Sequence, residues 1–425
     1  MAAPVPAAPS DADYLSREEV LEILGIKRQT LYSYVSRGYI RSVPQAGGHA
    51  SYYLREDIER VKAKNTARSG HGPAAASAMR WGEPVIVTSI TEITEEGPRY
   101  RNRLALDLAR SRCSFEAAAE YLWTGNWTDE PVVWQSAPAP AEVPDLLAAT
   151  TRLHPRVHIL QLLTQATLSI GIAEGGSERV GGSGTPVLSA RRLIRALAGV
   201  FGFLGPRKEY VAPLSGEPLA KSLARALGLP LEPLNISALD TALVLVADHE
   251  LNPATFAARI AASGGADLHS CMGAALEVHY GIGRGCDRVE AMFMPPAAPE
   301  AVLELVKSRL DAAQTLVGFN HKLYPHGDPR TQMLLDIARE AGRERKMTRN
   351  MLLALEDIEK QFKARPSIET GLVVICRALG LPDYTAGGLF ALSRSAGWVA
   401  HILEQRLAGF MIRPRAKFTS PVPGR

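Results

Sequence analysis

Asp248-His249-Glu250-Leu251-Asn252-Pro253 and Gly318-Phe319-Asn320-His321, the second running on to Asp328-Pro329-Arg330, each set a histidine shortly ahead of a helix start. Asn252 is a strong N-cap with Pro253 in the first helical position, and Asp328 with Pro329 repeats the pair. Unpaired backbone N–H groups and the positive ends of two helix dipoles can therefore face one anionic ligand, with both histidines against it. That is an arrangement for a small dicarboxylate. Working outward from these starts, apolar residues recur at three- and four-residue spacing through 104–123, 190–204, 218–228, 253–263, 300–317, 331–342, 369–380 and 387–408, so the chain beyond residue 80 reads as mostly α. The exception is Pro84 to Glu92, where the alternation of Val85, Val87 and Ser89 predicts a short strand leading into a turn at Glu96-Gly97-Pro98.

At 425 residues, 46% hydrophobic and 22% charged, the chain can bury a large core and divides into two or three domains. A formal charge of +4 does not by itself argue for nucleic acid, and no apolar run approaches the ~20 residues that a spanning helix needs. The opening Met1-Ala2-Ala3-Pro4 has neither a basic n-region nor an apolar h-region, so a cytoplasmic protein with no membrane partner is expected. Cys113, Cys271, Cys286 and Cys376 are scattered, with no C-x-x-C pair and no histidine at ligand spacing; free thiols and no metal site are expected.

Residues 1–13 are an Ala/Pro-rich tail and 65–80 a small-residue linker, with a compact unit over 14–64 between them. From Tyr14 to Lys64 there are nine Lys/Arg against six Asp/Glu. Ser16 and Glu19 form a capping box ahead of Val20, Leu21, Ile23 and Leu24, Gly25 stops that helix, and a second begins near Arg28 with Leu31, Tyr32 and Val35. This is a helix-turn-helix, and with Arg37-Gly38-Tyr39-Ile40, Tyr52 and Asp57-Ile58 it resembles the winged helix-turn-helix of the excisionase and MerR families. The resemblance places Lys27, Arg28, Gln29, Thr30, Tyr32 and Ser33 where a recognition helix meets the DNA major groove, with Gly47-Gly48-His49 as the wing. Family wings usually carry arginine where His49, Ala50 and Ser51 stand here, so a docking domain without DNA contact is the alternative.

Over residues 84–418 the chain resembles citrate synthase. The resemblance is carried in order by Thr88-Ser89-Ile90 with Arg99-Tyr100-Arg101, by Ser114-Phe115-Glu116 on to Tyr121-Leu122-Trp123-Thr124-Gly125, by the two histidine motifs, by Leu389-Phe390 through Arg394 and Gly397-Trp398 to His401, and by Arg413-Pro414-Arg415. It implies a two-domain helical fold preceded by the small winged domain, with a large domain of 81–280 and 370–425 and a small one of 281–369 closing over it. It also implies condensation of acetyl-CoA or propionyl-CoA with oxaloacetate, acyl-CoA being a substrate with no tightly bound cofactor, in a homodimer with shared active sites. Oxaloacetate carries two carboxylates and a ketone, which call for bidentate arginines and a donor to polarise the carbonyl. By the resemblance Arg330, Arg394 and Arg415 supply the first, Arg415 from the partner subunit, and His249 and His321 the second.

The enolisation residues depart from the family. Arg284 stands where the enolate-binding histidine is expected, with His279 five residues earlier as a less favoured substitute, and Glu369 stands in place of the catalytic aspartate; Asp383 reads as a loop residue. Arginine can donate to an enolate oxygen but cannot shuttle a proton, and glutamate reaches one methylene farther. A shift of ~1 Å can cost on the order of a hundredfold in rate. The catalytic set is therefore Arg284, His321 and Glu369, with slow or altered turnover. The alternative is a metabolite-sensing DNA-binding regulator built on the same fold.

Overall fold

The computed structural model describes residues 14–36, 40, 42–44, 51–55, 57, 58, 61, 86–135, 138–175, 186–282, 285–294 and 298–414. Its two units are residues 1–87 with 414–425, and residues 88–413.

In the first unit Ser16 Oγ accepts the Glu19 N–H while the Glu19 carboxylate takes the Ser16 N–H at 2.7 Å, closing the expected capping box. Helix α1 (Arg17–Leu24) ends at Gly25 and α2 (Arg28–Ser36) follows. Strands β1 (Tyr14–Leu15), β2 (Ser42–Pro44) and β3 (Ser51–Leu54) pair antiparallel in the order β1-β3-β2. Leu15, Val20, Leu31, Ile40, Tyr53, Ile58 and Val61 make the small core. The tail, the linker and the expected wing at 47–49 lie outside the described residues.

The second unit opens with β4 (Thr91–Thr94), β5 (Gly97–Tyr100) and β6 (Arg103–Leu104), an antiparallel ladder whose first register runs from Thr91 opposite Tyr100 to Thr94 opposite Gly97. The strand thus begins later than the Val85-Val87-Ser89 alternation suggested. Val87 is 94% exposed, and Glu95-Glu96 form the turn. The helices are α3 (Ala105–Arg110), α4 (Phe115–Thr124), α5 (Glu142–Leu153), α6 (Ile159–Ala173), α7 (Pro186–Val200), α8 (Leu219–Leu227), α9 (Pro233–Val246), α10 (Pro253–Ser263), α11 (Leu268–Ile282), α12 (Gly285–Met292), α13 (Pro299–Asp311), α14 (Pro329–Ala341), α15 (Lys346–Phe362), α16 (Ile368–Leu379) and α17 (Thr385–Ala408). All four cysteines are free. No helix among the described residues is long and apolar enough to cross a membrane.

Helix α17 is the axis on which the rest is assembled. It packs against α4, α6, α7, α9, α10, α11, α12 and α16 and is buried on nearly every face. A helix enclosed that way must satisfy its polar side chains internally. Ser393 Oγ accordingly donates to the Leu243 carbonyl at 2.5 Å, and Arg394 Nε to the Val246 carbonyl at 2.8 Å. Both carbonyls belong to the last turn of α9, so these bonds hold the end of α9 against α17. Gly397 allows the approach: a Cβ there would lie 2.0 Å from Asp248 Oδ1 and 2.7 Å from the Ala247 carbonyl.

Candidate active site

The end of α9 delivers the first histidine. Gly397 N–H donates to the Ala247 carbonyl at 2.9 Å, and the chain turns through Glu250 (φ 55°) to Asn252, whose Oδ1 caps α10 by accepting the Thr255 N–H at 3.0 Å. Beneath the turn, His401 Nε2 lies 3.3 Å from Asp248 Oδ2 and its Nδ1 3.2 Å from Arg259 Nη1. Arg259 also binds Glu404 at 2.6 Å, and Glu404 takes Thr88 Oγ1 at 2.8 Å and the Ser89 N–H at 2.7 Å. Burial alone would raise the Asp248 carboxyl, but His401 beside it lowers it. This chain of polar side chains, fully buried at Asp248, His401 and Arg259 and half-buried at Glu404, anchors the backbone on which His249 rides.

The second histidine is tied to α16. Asn320 N–H donates to the Arg365 carbonyl at 2.8 Å and Asn320 Oδ1 accepts the Arg365 N–H at 2.9 Å; Ser367 N–H and Thr370 Oγ1 both reach the Gly318 carbonyl, at 2.8 and 2.6 Å. Gly318 has φ 83°, and a Cβ there would meet Val289 at 2.2 Å, so this turn accepts no other residue without a shift. The result couples His321 to Glu369, which sits in the first turn of α16 and accepts Ser367 Oγ–H at 2.5 Å. Gly285, the first residue of α12, faces Glu369: a Cβ there would lie 3.4 Å from the Glu369 Cγ.

The histidine rings converge, with centroids 5.3 Å apart. Tyr324, absent from the sequence-based site, packs against both, its hydroxyl 2.9 Å from His249 Nε2 and its ring centroid 5.2 Å from that of His321. The only signal for it in the sequence was position, three residues past a site histidine in a turn.

Arg330 and Arg394 are buried at 1% and 2% exposure. Arg330 is not a free fork. Its Nε and Nη2 bind the two Asp328 oxygens at 2.9 and 2.7 Å, and Asp328 Oδ1 also takes the Arg330 N–H at 3.1 Å. The carboxylate expected from a ligand at the start of α14 is therefore supplied by the protein's own cap. What Arg330 retains is Nη1, buried and without a hydrogen-bond partner among the described residues.

Burial, then the charges of Arg330 and Arg394 and the neighbouring His321, hold the His249 imidazole well below the ordinary histidine value. His321 is lowered by burial and Arg330, with Asp328 and Glu369 opposing. Burial pulls Arg394 down to about 10 against the pull of Asp248, whereas for Arg330 the Asp328 carboxylate overcomes burial and raises it. The site thus carries neutral imidazoles beside two guanidinium groups, one of them neutralised by its own partner.

Arg284 and Arg415 lie outside the described residues. His279, on α11, is buried and stacks on Phe390 with centroids 5.0 Å apart; burial and then Arg394 lower it to about 3. Asp383 pairs with Arg377 at 2.5 Å, as a loop residue would. In the first unit, Lys27, Arg28, Gln29 and Tyr32 are exposed on and just before α2, Thr30 and Ser33 are half-buried, and Leu31 points into the core. Among the described residues no group of three or more His, Cys, Asp or Glu could hold a metal.

A family model described as the citrate synthase C-terminal domain matches residues 78–415, and one described as a helix-turn-helix domain matches 14–66. Citrate synthase 2 of Bacillus subtilis (strain 168) is 28% identical over 367 residues, covering 81% of this chain and 96% of that protein. The 2-methylcitrate synthase of Mycobacterium tuberculosis H37Rv is 26% identical over 356 residues, covering 78% and 88%. Among solved structures, citrate synthase from Thermotoga maritima MSB8 shares the fold at a TM-score of 0.66 and 24% identity, over 81% of this chain and 96% of that one. The citrate synthase of Thermoplasma acidophilum, solved as a ternary complex with carboxymethyl coenzyme A and oxaloacetate, does so at 0.70 and 22%, over 80% and 95%.

Proposed function

The chain belongs to the citrate synthase family, and we propose that it condenses acetyl-CoA or propionyl-CoA with oxaloacetate to give citrate or 2-methylcitrate and CoA. The observation that carries this reading is the convergence of His249, His321, Arg330 and Arg394 on one place, with Glu369 acting electrostatically on both His321 and Arg394. In the proposed reaction Glu369 removes a proton from the thioester methyl, and Arg284 donates to the enolate oxygen. His321 donates to the keto oxygen of oxaloacetate while the new carbon–carbon bond forms. Arg330 Nη1 and Arg394 hold the carboxylates, with Arg415 contributed by a second subunit, and water then cleaves the thioester to release CoA. Closure of residues 281–369 over the remainder would exclude water during the first step.

Thiol release from acetyl-CoA in the presence of oxaloacetate, repeated with propionyl-CoA, is expected to exceed background with one of the two. Tight oxaloacetate binding with no turnover on either would reject the enzyme and leave the ligand-sensing regulator.

The exposure of Lys27, Arg28, Gln29 and Tyr32 on and just before α2 supports a DNA partner for residues 14–64, with α2 as the major-groove helix. Duplex binding is then expected to weaken with rising salt, by a log–log slope of ~0.9 per phosphate contact. Replacing Lys27 and Arg28 by alanine should flatten that slope; an unchanged slope would move the phosphate contacts off α2, and no salt-dependent duplex binding by the wild-type protein would leave the unit as a docking domain.

A further inference from the structure

The turn that carries His249 runs from Asp248, just past the end of α9, to Asn252 at the cap of α10, and Arg259 lies farther along α10. Among the described residues His401 of α17 is the side chain that joins Asp248 to Arg259, so it grips the turn from both ends. All three side chains are out of solvent.

The partners decide where the His401 imidazole keeps its hydrogen. A guanidinium has donors and no acceptor, so Arg259 Nη1, 3.2 Å from His401 Nδ1, donates there and Nδ1 carries no hydrogen. Arg259 cannot turn away, because Gln405 Oε1 takes its Nε–H at 3.0 Å and Glu404 takes its second Nη1–H at 2.6 Å. With Nδ1 bare, the ring is neutral and its hydrogen is on Nε2, which donates to Asp248 Oδ2 at 3.3 Å. An imidazolium would set one N–H against another at Arg259.

Asp248 Oδ2 accepts a second hydrogen bond, from the Glu250 N–H at 3.3 Å, so one carboxylate oxygen spans His249 from the residue before it to the residue after. Glu250 is held at φ 55°, a conformation that costs a residue with a side chain and persists only where its surroundings enforce it. We propose that His401 is a positioning residue for the dicarboxylate site: its Nε2–H aims the Asp248 carboxylate, which holds the Glu250 turn and with it His249. Arg259 enforces the tautomer from the far side. His401 acts through Asp248 and not on the substrate. The inference rests on the condensation reading, because it takes oxaloacetate as the ligand that His249 meets.

Nitrogen-15 spectra of the histidines in the full-length protein read the tautomer directly, and His401 is expected as a neutral ring with its hydrogen on Nε2. Two substitutions isolate the bond to Asp248. Glutamine and methionine have nearly the same shape and neither replaces the acceptor for Arg259, but glutamine keeps an N–H where the imidazole Nε2–H stood. His401→Met should therefore bind oxaloacetate in calorimetry about tenfold or more weakly than His401→Gln, the loss of one hydrogen bond to a charged group. The oxaloacetate KM should rise in step and the kcat values of the two should agree within about threefold, since a shifted His249 weakens binding in ground and transition states alike. A side chain that only filled space would give the two variants the same affinity. The proposal is overturned by His401→Met binding within about twofold of His401→Gln, or by a wild-type His401 that is an imidazolium or carries its hydrogen on Nδ1. If the variants do not fold, the wild-type spectra decide alone. Absence of oxaloacetate binding to the wild-type protein is a separate result, and sinks the condensation reading itself.

Discussion

Glu369→Gln lowers kcat by about 10³-fold, the usual contribution of a positioned general base, and leaves the oxaloacetate dissociation constant within about threefold of wild type. The amide has the same shape and keeps an oxygen to accept the Ser367 hydroxyl, which lies 2.5 Å from the Glu369 carboxylate, so the first turn of α16 has no reason to rearrange. What disappears is a basic oxygen able to take the methyl proton. Glutamate fits here: its neighbour Gly285 has no side chain, and even a Cβ there would be in ordinary contact, 3.4 Å from Glu369 Cγ. Thiol release under saturating substrates gives kcat, and calorimetry with oxaloacetate alone gives affinity. Equal loss of both would mean that Glu369 holds the site together and is not the base.

The fold class was legible from helical periodicity, and several helices with one wet face were found where the spacing put them, α10 at Pro253–Ser263 being the clearest. Helices α6, α9 and α11 were not, because they carry apolar residues on most faces and so lose the 3.6-residue signal. Helix α15 was legible and went unread: Met351, Ala354, Leu355 and Ile358 recur at three and four spacing and are all buried. In the site, His249, His321 and Arg330 could be named because each sits beside a capped helix start, and Arg394 because the resemblance to the family pointed to it. The geometry that joins them depends on long-range bonds between chain segments far apart, such as Asn320 to Arg365 and Arg394 to Val246, which no local pattern encodes. The pairing of Asp328 with Arg330 was hidden for another reason. Aspartate at an N-cap reads as a helix signal, and the same carboxylate turned out to serve as the counter-charge of a site arginine.

That double duty makes Asp328→Ala the most damaging single change expected for stability. Both side chains of the pair are out of solvent, at 1% for Arg330 and 0% for Asp328, so removing the carboxylate strands a guanidinium in the interior. Breaking a buried pair from one side costs about 3–5 kcal/mol, and loss of the α14 cap adds ~1 kcal/mol. Arg330 cannot escape the cost by losing its proton, because a guanidinium stays charged at any working pH, and its Nη1 has no hydrogen-bond partner among the described residues to share the charge. Thermal unfolding of the variant should therefore occur well below that of wild type. The arginine freed in this way also becomes a better anion site than it was. Oxaloacetate, supplying the missing negative charge, should raise the unfolding temperature of Asp328→Ala by more than it raises that of the wild type, since a ligand that binds only the native state stabilises in proportion to its affinity for it. Asp328→Asn, which keeps the cap and the shape but not the charge, should fall between the two. A variant that unfolds with the wild type, or one that oxaloacetate does not rescue, would place the charge balance of Arg330 elsewhere.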